Sequence, residues 1–564
     1  MSISQWIKTI LYMVASIGAL LVGFEILSNN VAKLCHKGLK KLFGKTSKSK
    51  LAGVGIGIAA TAIMQSSSAT TIMVVGFVNT GIMTLTQATA IIMGANIGTT
   101  ITAQLAALNS FSFSDYAIAL AGIGIFINML SKKEKTKTLG NALAGFGLLF
   151  FGLMNMSDAM KAEEVKNAIG GILTTIDGPF APWILFLMGV ILTAIVQSSA
   201  LITTIIISLT SAGIYIGAGS GATALNNNVL FLILGTNIGT CVTALLSSAG
   251  ATTNAKRAGI IHLLFNTFGA FVFMIPLFIF KNFMSDTLAK VFATPATQIA
   301  MFHTFFNVVC TIIFLPFIRF FVLASEFLIK DKGNKAAGEE TFTYIDERMI
   351  KSPSIAIHQV RKEMGLMYNK AVDVLNISVD AFYNRDMDKK EIVDKMNKEL
   401  ETTNKLITEF LVKLENESLT FDDECTVTSF LRSLNDILRI GEIGDNICKY
   451  TRHMVMEELV FSDNVLLQVG FMRSTINALY QKTDEVFLSK DINRLKEIDE
   501  VENKVDKMRK ELIDDHFDRL NKGECKPQNS GVFVNLVNNL ERAADHMTYI
   551  AYSVKEALDQ TKNG

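Results

Sequence analysis

Two copies of a Gln-Ser-Ser sequence carry the side chains of this chain that are best suited to binding small ions. The first copy lies at residues 65–68 and the second at residues 197–199. The surrounding residues 51–114 and 178–255 contain no Asp, Glu, Lys or Arg. Amide and hydroxyl oxygens are ligands for hard cations such as sodium, and a helix that begins at such a serine presents free N–H groups to an anion. These residues therefore predict a site that binds an anion together with a cation, in uncharged and apolar surroundings.

A second motif, Gly-x-Asn-Ile-Gly-Thr, follows each copy, at residues 94–99 and 235–240. Because glycine relaxes the constraints on the backbone, we expect both tracts to be helix breaks, with Asn96 and Asn237 organising the site beside them. Serine and threonine in membrane helices more often serve close packing or interhelical hydrogen bonds, and for any single hydroxyl here that interpretation is the better one. A glutamine with adjacent serines in both halves of the chain reverses this preference and favours binding.

Long apolar segments surround these motifs and reach the ~20 residues that a membrane-spanning helix needs. Seven spanning segments are predicted, at residues 8–27, 84–108, 115–130, 138–156, 225–249, 257–280 and 299–324. The stretches 51–80 and 181–212 carry Gln-Ser-Ser at their centres and are predicted to be helical hairpins that enter the membrane and turn back. The order helix, hairpin, broken helix, helix thus occurs twice, in repeat 1 (residues 8–130) and repeat 2 (residues 138–280), before the extra helix at 299–324. Matched interruptions in two halves are typical of a transporter with a binding site at the membrane midplane.

The basic residues predict how these segments are oriented. Lysine and arginine are concentrated at residues 33–50, 132–137 and 256–257 and at Arg319 and Lys330. Because basic loops prefer the cytoplasm, we place all of them inside and the acidic loop at 158–177 outside. Each repeat then has three crossings, so repeat 2 is inverted relative to repeat 1 and one hairpin enters from each face. The prediction is a multi-pass protein of the plasma (inner) membrane, in contact with lipid.

A change in composition near residue 330 divides the 564 residues into two domains. The predicted membrane domain is 1–330, followed by a linker at 331–344 and a soluble helical domain at 345–564, and the fold class is all-α. The net charge of +1 argues against nucleic acid as a partner. The six cysteines form no Cys-x-x-Cys pair, so the sequence indicates neither a disulfide framework nor a zinc site. We find no nucleophile–base set and no nucleotide-binding loop, and therefore do not expect an enzyme.

Six helices are predicted in the soluble domain, as two bundles of three. They lie near residues 354–385, 388–415, 424–456, 463–488, 490–519 and 528–558. The pairs Glu502 with Asp506 and Glu541 with Asp545 are four residues apart, so each pair projects to one side of its helix. Two such helices could share a divalent cation, although a solvated helix face explains an isolated pair equally well.

The membrane motifs, together with His-Thr-Phe-Phe-Asn at 303–307, resemble the type II sodium–phosphate cotransporter family in its bacterial branch, over about residues 1–330. The resemblance implies sodium-coupled transport of inorganic phosphate, with phosphate and Na+ bound at the two Gln-Ser-Ser regions. The implied site residues are Gln65, Ser66, Ser67, Ser68, Thr70, Gln197, Ser198, Ser199 and Thr203, with Thr236, Asn237 and Thr240 as sodium contacts and Asn96 as a further residue of the site. Ala200 replaces the third serine in the second copy, which removes one hydroxyl from that half.

Residues 345–558 are similar to the PhoU family, a duplicated helical regulator of phosphate uptake whose Glu-x-x-x-Asp motifs bind metal. The implied metal ligands are Glu502, Asp506, Glu541 and Asp545. In the first half Gly441 replaces the corresponding glutamate, so one metal cluster is expected rather than two.

The resulting hypothesis is a sodium/phosphate symporter with a cytoplasmic PhoU-like regulatory domain. A phosphate exporter of the same fold and a non-transporting membrane sensor are the alternatives, and the question of a homodimer stays open.

The pairs His262 with Asn266 and His303 with Asn307 also share one helix face each. Since no carboxylate accompanies them, hydrogen bonding between helices is preferred to a metal site.

Overall fold

The structure is a computed structural model that describes residues 3–35, 38, 43, 49–110, 114–161, 168, 176, 178–218, 222, 224–331, 342–417 and 419–563. Three predicted segments lie partly outside the described residues: the basic loop at 33–50, the acidic loop at 158–177 and the linker at 331–344.

The chain divides into two compact units. The first comprises Met1–Ala337 and Asp346–Ser352, and the second comprises Gly338–Ile345 and Pro353–Gly564. The predicted boundary assigned everything from residue 345 onward to the soluble domain. In the structure, by contrast, seven residues beyond the linker belong to the first unit.

Twelve helices of ten or more residues form the described part of the first unit. They are α1 (Ile3–Leu34), α2 (Lys50–Met64), α3 (Ser67–Asn79), α4 (Leu85–Ala107), α5 (Ser114–Leu130), α6 (Glu134–Lys161), α7 (Ala181–Val196), α8 (Ser199–Ser211), α9 (Asn228–Ser248), α10 (Thr253–Ile279), α11 (Pro295–Phe314) and α12 (Ile318–Leu328). Helices α2 and α3 are the first predicted hairpin, and α7 and α8 are the second. The order of elements is therefore the predicted one.

Six of these helices are long and apolar enough to cross a membrane, namely α1, α4, α6, α9, α10 and α11. Helix α5, which was predicted to be a crossing, has 17 residues and falls at the lower limit for a span. The extra helix predicted at 299–324 is wrong in one respect, because the structure divides it into α11 and α12. The division falls at Pro316, whose ring removes a backbone N–H and disfavours continued helix.

The glycines of the Gly-x-Asn-Ile-Gly-Thr motifs are contact points between helices and do not break them. Helices α4 and α9 run without interruption through both motifs, so the prediction of helix breaks is wrong. A Cβ atom on Gly94 would lie 2.0 Å from the Val54 carbonyl oxygen, and one on Gly235 would lie 2.1 Å from that of Phe186. Glycine is required here because the first helix of each hairpin crosses the following long helix at backbone contact distance.

The segment Asp346–Ser352 is held on the first unit by polar contacts at the end of the first hairpin. Asn79 donates a hydrogen bond from Nδ2 to Asp346 Oδ2 over 2.7 Å, and Arg348 Nε donates to the Ser247 carbonyl over 2.6 Å. Asp346 and Arg348 also form an ion pair of 2.7 Å, and Met349 is fully buried. The segment therefore connects the end of α3 with the end of α9.

The second unit contains the six predicted helices. They are α13 (Pro353–Asn384), α14 (Lys389–Glu415), α15 (Phe421–Met456), α16 (Asp463–Ser489), α17 (Leu495–Asn521) and α18 (Gln528–Asn563). Helix α15 packs along α13 and α14, and α18 packs along α16 and α17, so each three-helix group is compact. Contacts of α15 with α18 and of α13 with α16 join the two groups.

Candidate functional site

Each hairpin reverses direction at the glutamine of its Gln-Ser-Ser sequence. Gln65 has a φ of 50° and Gln197 a φ of 59°, and both end their helices in the left-handed conformation. Outside glycine this conformation costs about 1–2 kcal/mol, and such strain concentrates at functional sites. The same strained geometry occurs in two glutamines at equivalent positions of the two repeats. This repetition indicates that both turns are functional features of the fold.

The serine after each glutamine opens the second helix of its hairpin. Ser66 Oγ accepts a hydrogen bond from the Ala69 N–H over 3.1 Å, and Ser198 Oγ accepts one from the Leu201 N–H over 3.2 Å. The first turns of α3 and α8 therefore carry N–H groups that have no partner within the helix. Each helix start has an effective charge of roughly +0.5, which favours a bound anion.

The two repeats exchange partners around these turns. Helix α3 of the first hairpin packs against α9 of the second repeat, and α8 of the second hairpin packs against α4 of the first. Thr243 on α9 donates a hydrogen bond to Ser68 Oγ over 3.2 Å. The Gln-Ser-Ser turn of one repeat and the Gly-x-Asn-Ile-Gly-Thr helix of the other are thereby parts of one arrangement.

The two turns differ in how far they are enclosed. The Gln65 amide is half-buried and donates from Nε2 to the Ala62 carbonyl over 2.7 Å, while its Oε1 accepts from the Thr102 hydroxyl over 3.3 Å. The Gln197 side chain is exposed. Thr243, the counterpart of Thr102, contacts Ser68 and not Gln197. The structure thus joins the first turn to both long helices and leaves the side chain of the second turn accessible.

Many hydroxyl groups on the helices of the hairpins and on α4 are buried without a hydrogen-bond partner among the described residues. They are those of Thr71, Thr99, Thr193, Thr203, Thr204, Ser208 and Ser211. Buried polar atoms in proteins almost always have a partner, and a polar site of this kind holds water or ions. The orphaned hydroxyls thus support a hydrated or ion-binding region within the first unit, and Thr203 is one of the predicted contacts.

The remaining predicted membrane-site residues are also buried. Thr70 accepts from the Thr61 hydroxyl over 3.0 Å, and Ser67 and Ser199 lie at the helix starts. Thr236 and Thr240 donate to carbonyl oxygens of their own helix, so their hydroxyl oxygens keep lone pairs available as acceptors.

Sequence reasoning missed Thr102 and Thr243, the residues that contact the first turn. The signal was available, because the repeated motif continues to a shared threonine in Gly-Ala-Asn-Ile-Gly-Thr-Thr-Ile-Thr at 94–102 and Gly-Thr-Asn-Ile-Gly-Thr-Cys-Val-Thr at 235–243. This shared threonine is the ninth residue of each tract, beyond the six-residue Gly-x-Asn-Ile-Gly-Thr motif.

A separate cavity of about 430 Å³ lies at the other end of the second hairpin. Its lining includes Asp115, Asp158, Lys161, Ser211 and Tyr215, and it contains no residue of either Gln-Ser-Ser sequence. It is therefore distinct from the two turns.

Three carboxylates of the second unit come together. Glu502, Asp506 and Asp545 each offer an oxygen, and these oxygens lie within 4.8 Å of one another. Burial, followed by repulsion between the carboxylates, raises the pKa of Glu502 and of Asp545 above their ordinary values. Glu541, the fourth predicted ligand, is not in this group and instead lies 3.1 Å from Arg509 Nε. The donor set of three oxygens suits a hard divalent cation.

The first half of the second unit holds a lysine among its carboxylates. Lys390 Nζ lies 2.9 Å from Asp445 Oδ1 and also contacts Asp394, beside a cavity of about 300 Å³. An ammonium group thus compensates these acids, as a cation would in the second half.

The six apolar helices of the first unit are those of a helical membrane protein, and the second unit adds a separate group of six helices. Residues 19–158 match the family described as Na+/Pi-cotransporter, and residues 364–451 and 471–554 match the PhoU domain. The chain is thus similar to a family of phosphate transporters over part of its first unit and to the PhoU domain over two segments of its second unit.

The chain is similar to several known proteins. The chain is 24% identical to "Putative inorganic phosphate export protein YjbB" of Escherichia coli (strain K12) over 561 residues, which is 98% of each chain. It is 38% identical to "Sodium-dependent phosphate transport protein 2B" of Homo sapiens over 112 residues, or 19% of this chain and 16% of the relative. The solved PhoU protein of Streptococcus pneumoniae aligns with 38% of this chain and 98% of its own, at 15% identity and a TM-score of 0.34.

Proposed function

We propose that the protein is a secondary transporter that carries inorganic phosphate together with sodium ions across the plasma membrane. The observation that carries the proposal is the pair of strained glutamine turns, each followed by a helix start, with the first turn bound to the opposite repeat through Ser68 and Thr243. Two helix starts supply only about one positive charge between them. A doubly charged oxyanion is then under-compensated, and sodium bound by amide, hydroxyl and carbonyl oxygens supplies the missing charge.

The partner exchange between the repeats supports alternating access. Because each hairpin packs on the long helix of the other repeat, a tilt of one repeat changes the enclosure of both turns. In this arrangement the first turn is enclosed and the second is accessible, which is one of the two states that such a transporter needs. The inverted orientation of the repeats follows from the basic loops.

The second unit is proposed to be a cytoplasmic regulatory domain. The basic residues at 132–137 and 256–257 follow the ends of α5 and α9 and favour the cytoplasm for these ends, and Asp346–Ser352 is bound to the end of α9. A divalent cation at Glu502, Asp506 and Asp545 is proposed as part of this domain.

Phosphate export is the second candidate. It is favoured by the similarity to the phosphate export protein of Escherichia coli, which matches 98% of the chain. The same site serves both directions, because the gradients of sodium and phosphate decide the direction of net flux.

Uptake of labelled phosphate into liposomes that contain the purified full chain tests the proposal. We expect uptake with an inward sodium gradient and none with an equal potassium gradient, with empty liposomes as the blank. Uptake that is equal under both gradients would remove sodium from the mechanism. The absence of phosphate flux in either direction, with correctly inserted protein, would favour the sensor.

A further inference from the structure

The two asparagines at equivalent positions of the repeated motif make different hydrogen bonds. Asn96 donates from Nδ2 to the Ile92 carbonyl of its own helix over 3.1 Å. Asn237 Oδ1 lies 3.2 Å from His303 Nε2, while Asn237 Nδ2 is buried without a partner among the described residues. The Asn96 amide is therefore bound through its nitrogen and the Asn237 amide through its oxygen.

The Asn237 amide faces His303 through its oxygen. An amide oxygen can only accept a hydrogen bond, so in this pair His303 Nε2 carries the proton and donates it. Asn237 and His303 are 3% and 1% exposed, so water does not compete for either group. The free N–H donors of Asn237 are then those on Nδ2.

Helix α11 holds His303 in place from the side of the first repeat. Gln104 on α4 donates to the Thr304 hydroxyl over 2.8 Å and to the Ala300 carbonyl over 3.1 Å. About two turns further along, Thr311 donates to the Met93 carbonyl over 3.3 Å. The His303 ring is thus carried by a helix that is bound to the first repeat, while the asparagine that it orients lies in the second.

The same histidine motif occurs on α10 without this contact. His262 is 1% exposed, and both of its ring nitrogens are without a partner among the described residues. The contact between His303 and Asn237 is therefore not shared by both His-x-x-x-Asn pairs among the described residues.

We propose that Asn237 is an anion contact that donates from Nδ2 to phosphate, and that His303 is the positioning residue that fixes this polarity, whereas Asn96 presents its oxygen to sodium. This inference rests on the proposed function and reverses the expectation that Asn237 contacts sodium. On α9 the amide donor stands beside Thr236 and Thr240, whose hydroxyl oxygens are free as acceptors. Donor and acceptors on adjacent positions of one helix match an anion and a cation bound side by side.

The test compares His303→Leu with His303→Gln in the full chain, in liposomes, by measuring the KM for phosphate and the half-saturating sodium concentration. Leucine removes the donor, whereas the glutamine amide can replace it. We expect His303→Leu to raise the KM for phosphate about tenfold, with a much smaller change for sodium, and His303→Gln to restore most of the loss. His262→Gln, at the matched position without the contact, is expected to leave the KM for phosphate within about twofold.

Asn237→Asp and Asn96→Asp complete the test by their opposite effects. Replacing the Asn237 donor with a carboxylate is expected to raise the KM for phosphate by more than about tenfold, whereas Asn96→Asp keeps an oxygen ligand and preserves sodium dependence. A selective rise in half-saturating sodium in Asn237→Asp or His303→Leu would overturn the assignment. An equal rise in the KM for phosphate in His303→Leu and His303→Gln would contradict the positioning role and show that His303 contributes only by packing. The unsubstituted chain tests the proposed function separately, since absence of its phosphate flux would contradict transport before any variant is compared.

Discussion

Thr243 in the second repeat donates a hydrogen bond to Ser68 in the turn of the first hairpin, over 3.2 Å. This bond joins a hydroxyl of the Gln-Ser-Ser sequence to a long helix that is 175 residues further along the chain. It couples the first turn to the opposite repeat.

Thr243→Val removes this bond while keeping the shape of the side chain. A single neutral hydrogen bond contributes about 0.5–1.5 kcal/mol, so we expect the KM for phosphate to rise about three- to tenfold at unchanged protein stability. Ser247→Ala is the control on the same helix, because the Ser247 hydroxyl bonds only to the Ala244 carbonyl. An unchanged KM in Thr243→Val would show that the bond does not contribute to the binding state.

Gln65→Gly and Gln197→Gly remove the amides of the two turns without opposing their geometry. Glycine adopts positive φ freely, so the hairpins are expected to fold, whereas alanine would keep the strain of a Cβ atom at φ values of 50° and 59°. We expect sodium-dependent phosphate uptake to fall to the level of empty liposomes in both variants, with normal insertion. Uptake at the unsubstituted rate in both would contradict the assignment of the site to the turns.

The boundary of the first unit gives a prediction about truncation. A chain that ends at Ser352 keeps the contacts of Asp346 with Asn79 and Arg348, whereas a chain that ends at residue 335 loses them. Since the Asp346 side chain is only 5% exposed, we expect the longer chain to keep phosphate transport and thermal stability. The shorter chain is expected to melt at a lower temperature and to transport more slowly.

Asp346→Ala in the longer chain is the matched test of that segment. It is expected to reproduce the lower melting temperature of the shorter chain, because it leaves Arg348 without its partner and Asn79 without its acceptor. Equal stability of all three chains would show that Asp346–Ser352 contributes nothing to the first unit.

The turns and the six soluble helices could be predicted from the sequence because their signals are local. A glutamine followed by a capping serine between two apolar runs specifies where a hairpin reverses, and apolar periodicity specifies the helices. The role of Gly94 and Gly235 could not be predicted, because glycine in an apolar run is compatible with a break and with a close crossing. Only the neighbouring carbonyl oxygens of Val54 and Phe186 distinguish the two.

The contacts of Asp346 and of Lys390 were missed for a different reason. Each depends on a partner that is distant in the chain, such as Asn79 for Asp346 and Asp445 for Lys390. The sequence alone does not distinguish a charged residue that faces water from one that pairs with a buried partner. Pairing of this kind is decided by tertiary packing.

The cluster of three carboxylates in the second unit predicts that a divalent cation stabilises the protein. Glu502, Asp506 and Asp545 repel one another, and a bound cation removes this repulsion. We expect millimolar Mg²⁺ or Mn²⁺ to raise the melting temperature of the full chain at pH 7.5. Because the pKa of Glu502 and that of Asp545 are raised, the effect is expected to weaken as the pH falls and protons compete with the metal.

Asp545→Asn removes one ligand and is expected to abolish the metal effect. Glu511→Gln on α17 is the control, since Glu511 is exposed and pairs only with Lys507. Equal stabilisation of both variants by the cation would place its binding elsewhere in the protein.

Asp484 in the second unit predicts a pH dependence of stability that is independent of the metal. Burial raises its pKa to about 6, and one of its oxygens has no hydrogen-bond partner among the described residues. The unfolded chain loses this proton near pH 4, whereas the folded chain keeps it to about pH 6. The folded state is therefore progressively destabilised between these values, and the penalty persists at higher pH.

Asp484→Asn mimics the protonated carboxyl at every pH. We expect it to raise the melting temperature of the full chain at pH 8 by a few degrees, about 1–2 kcal/mol after allowance for partial exposure of the group, and to change little at pH 4. Asp515→Asn is the control for a general effect of removing a negative charge, because Asp515 is exposed. A gain of the same size at both pH values would assign the stabilisation to packing of the amide, since only a titrating carboxyl loses its advantage in acid.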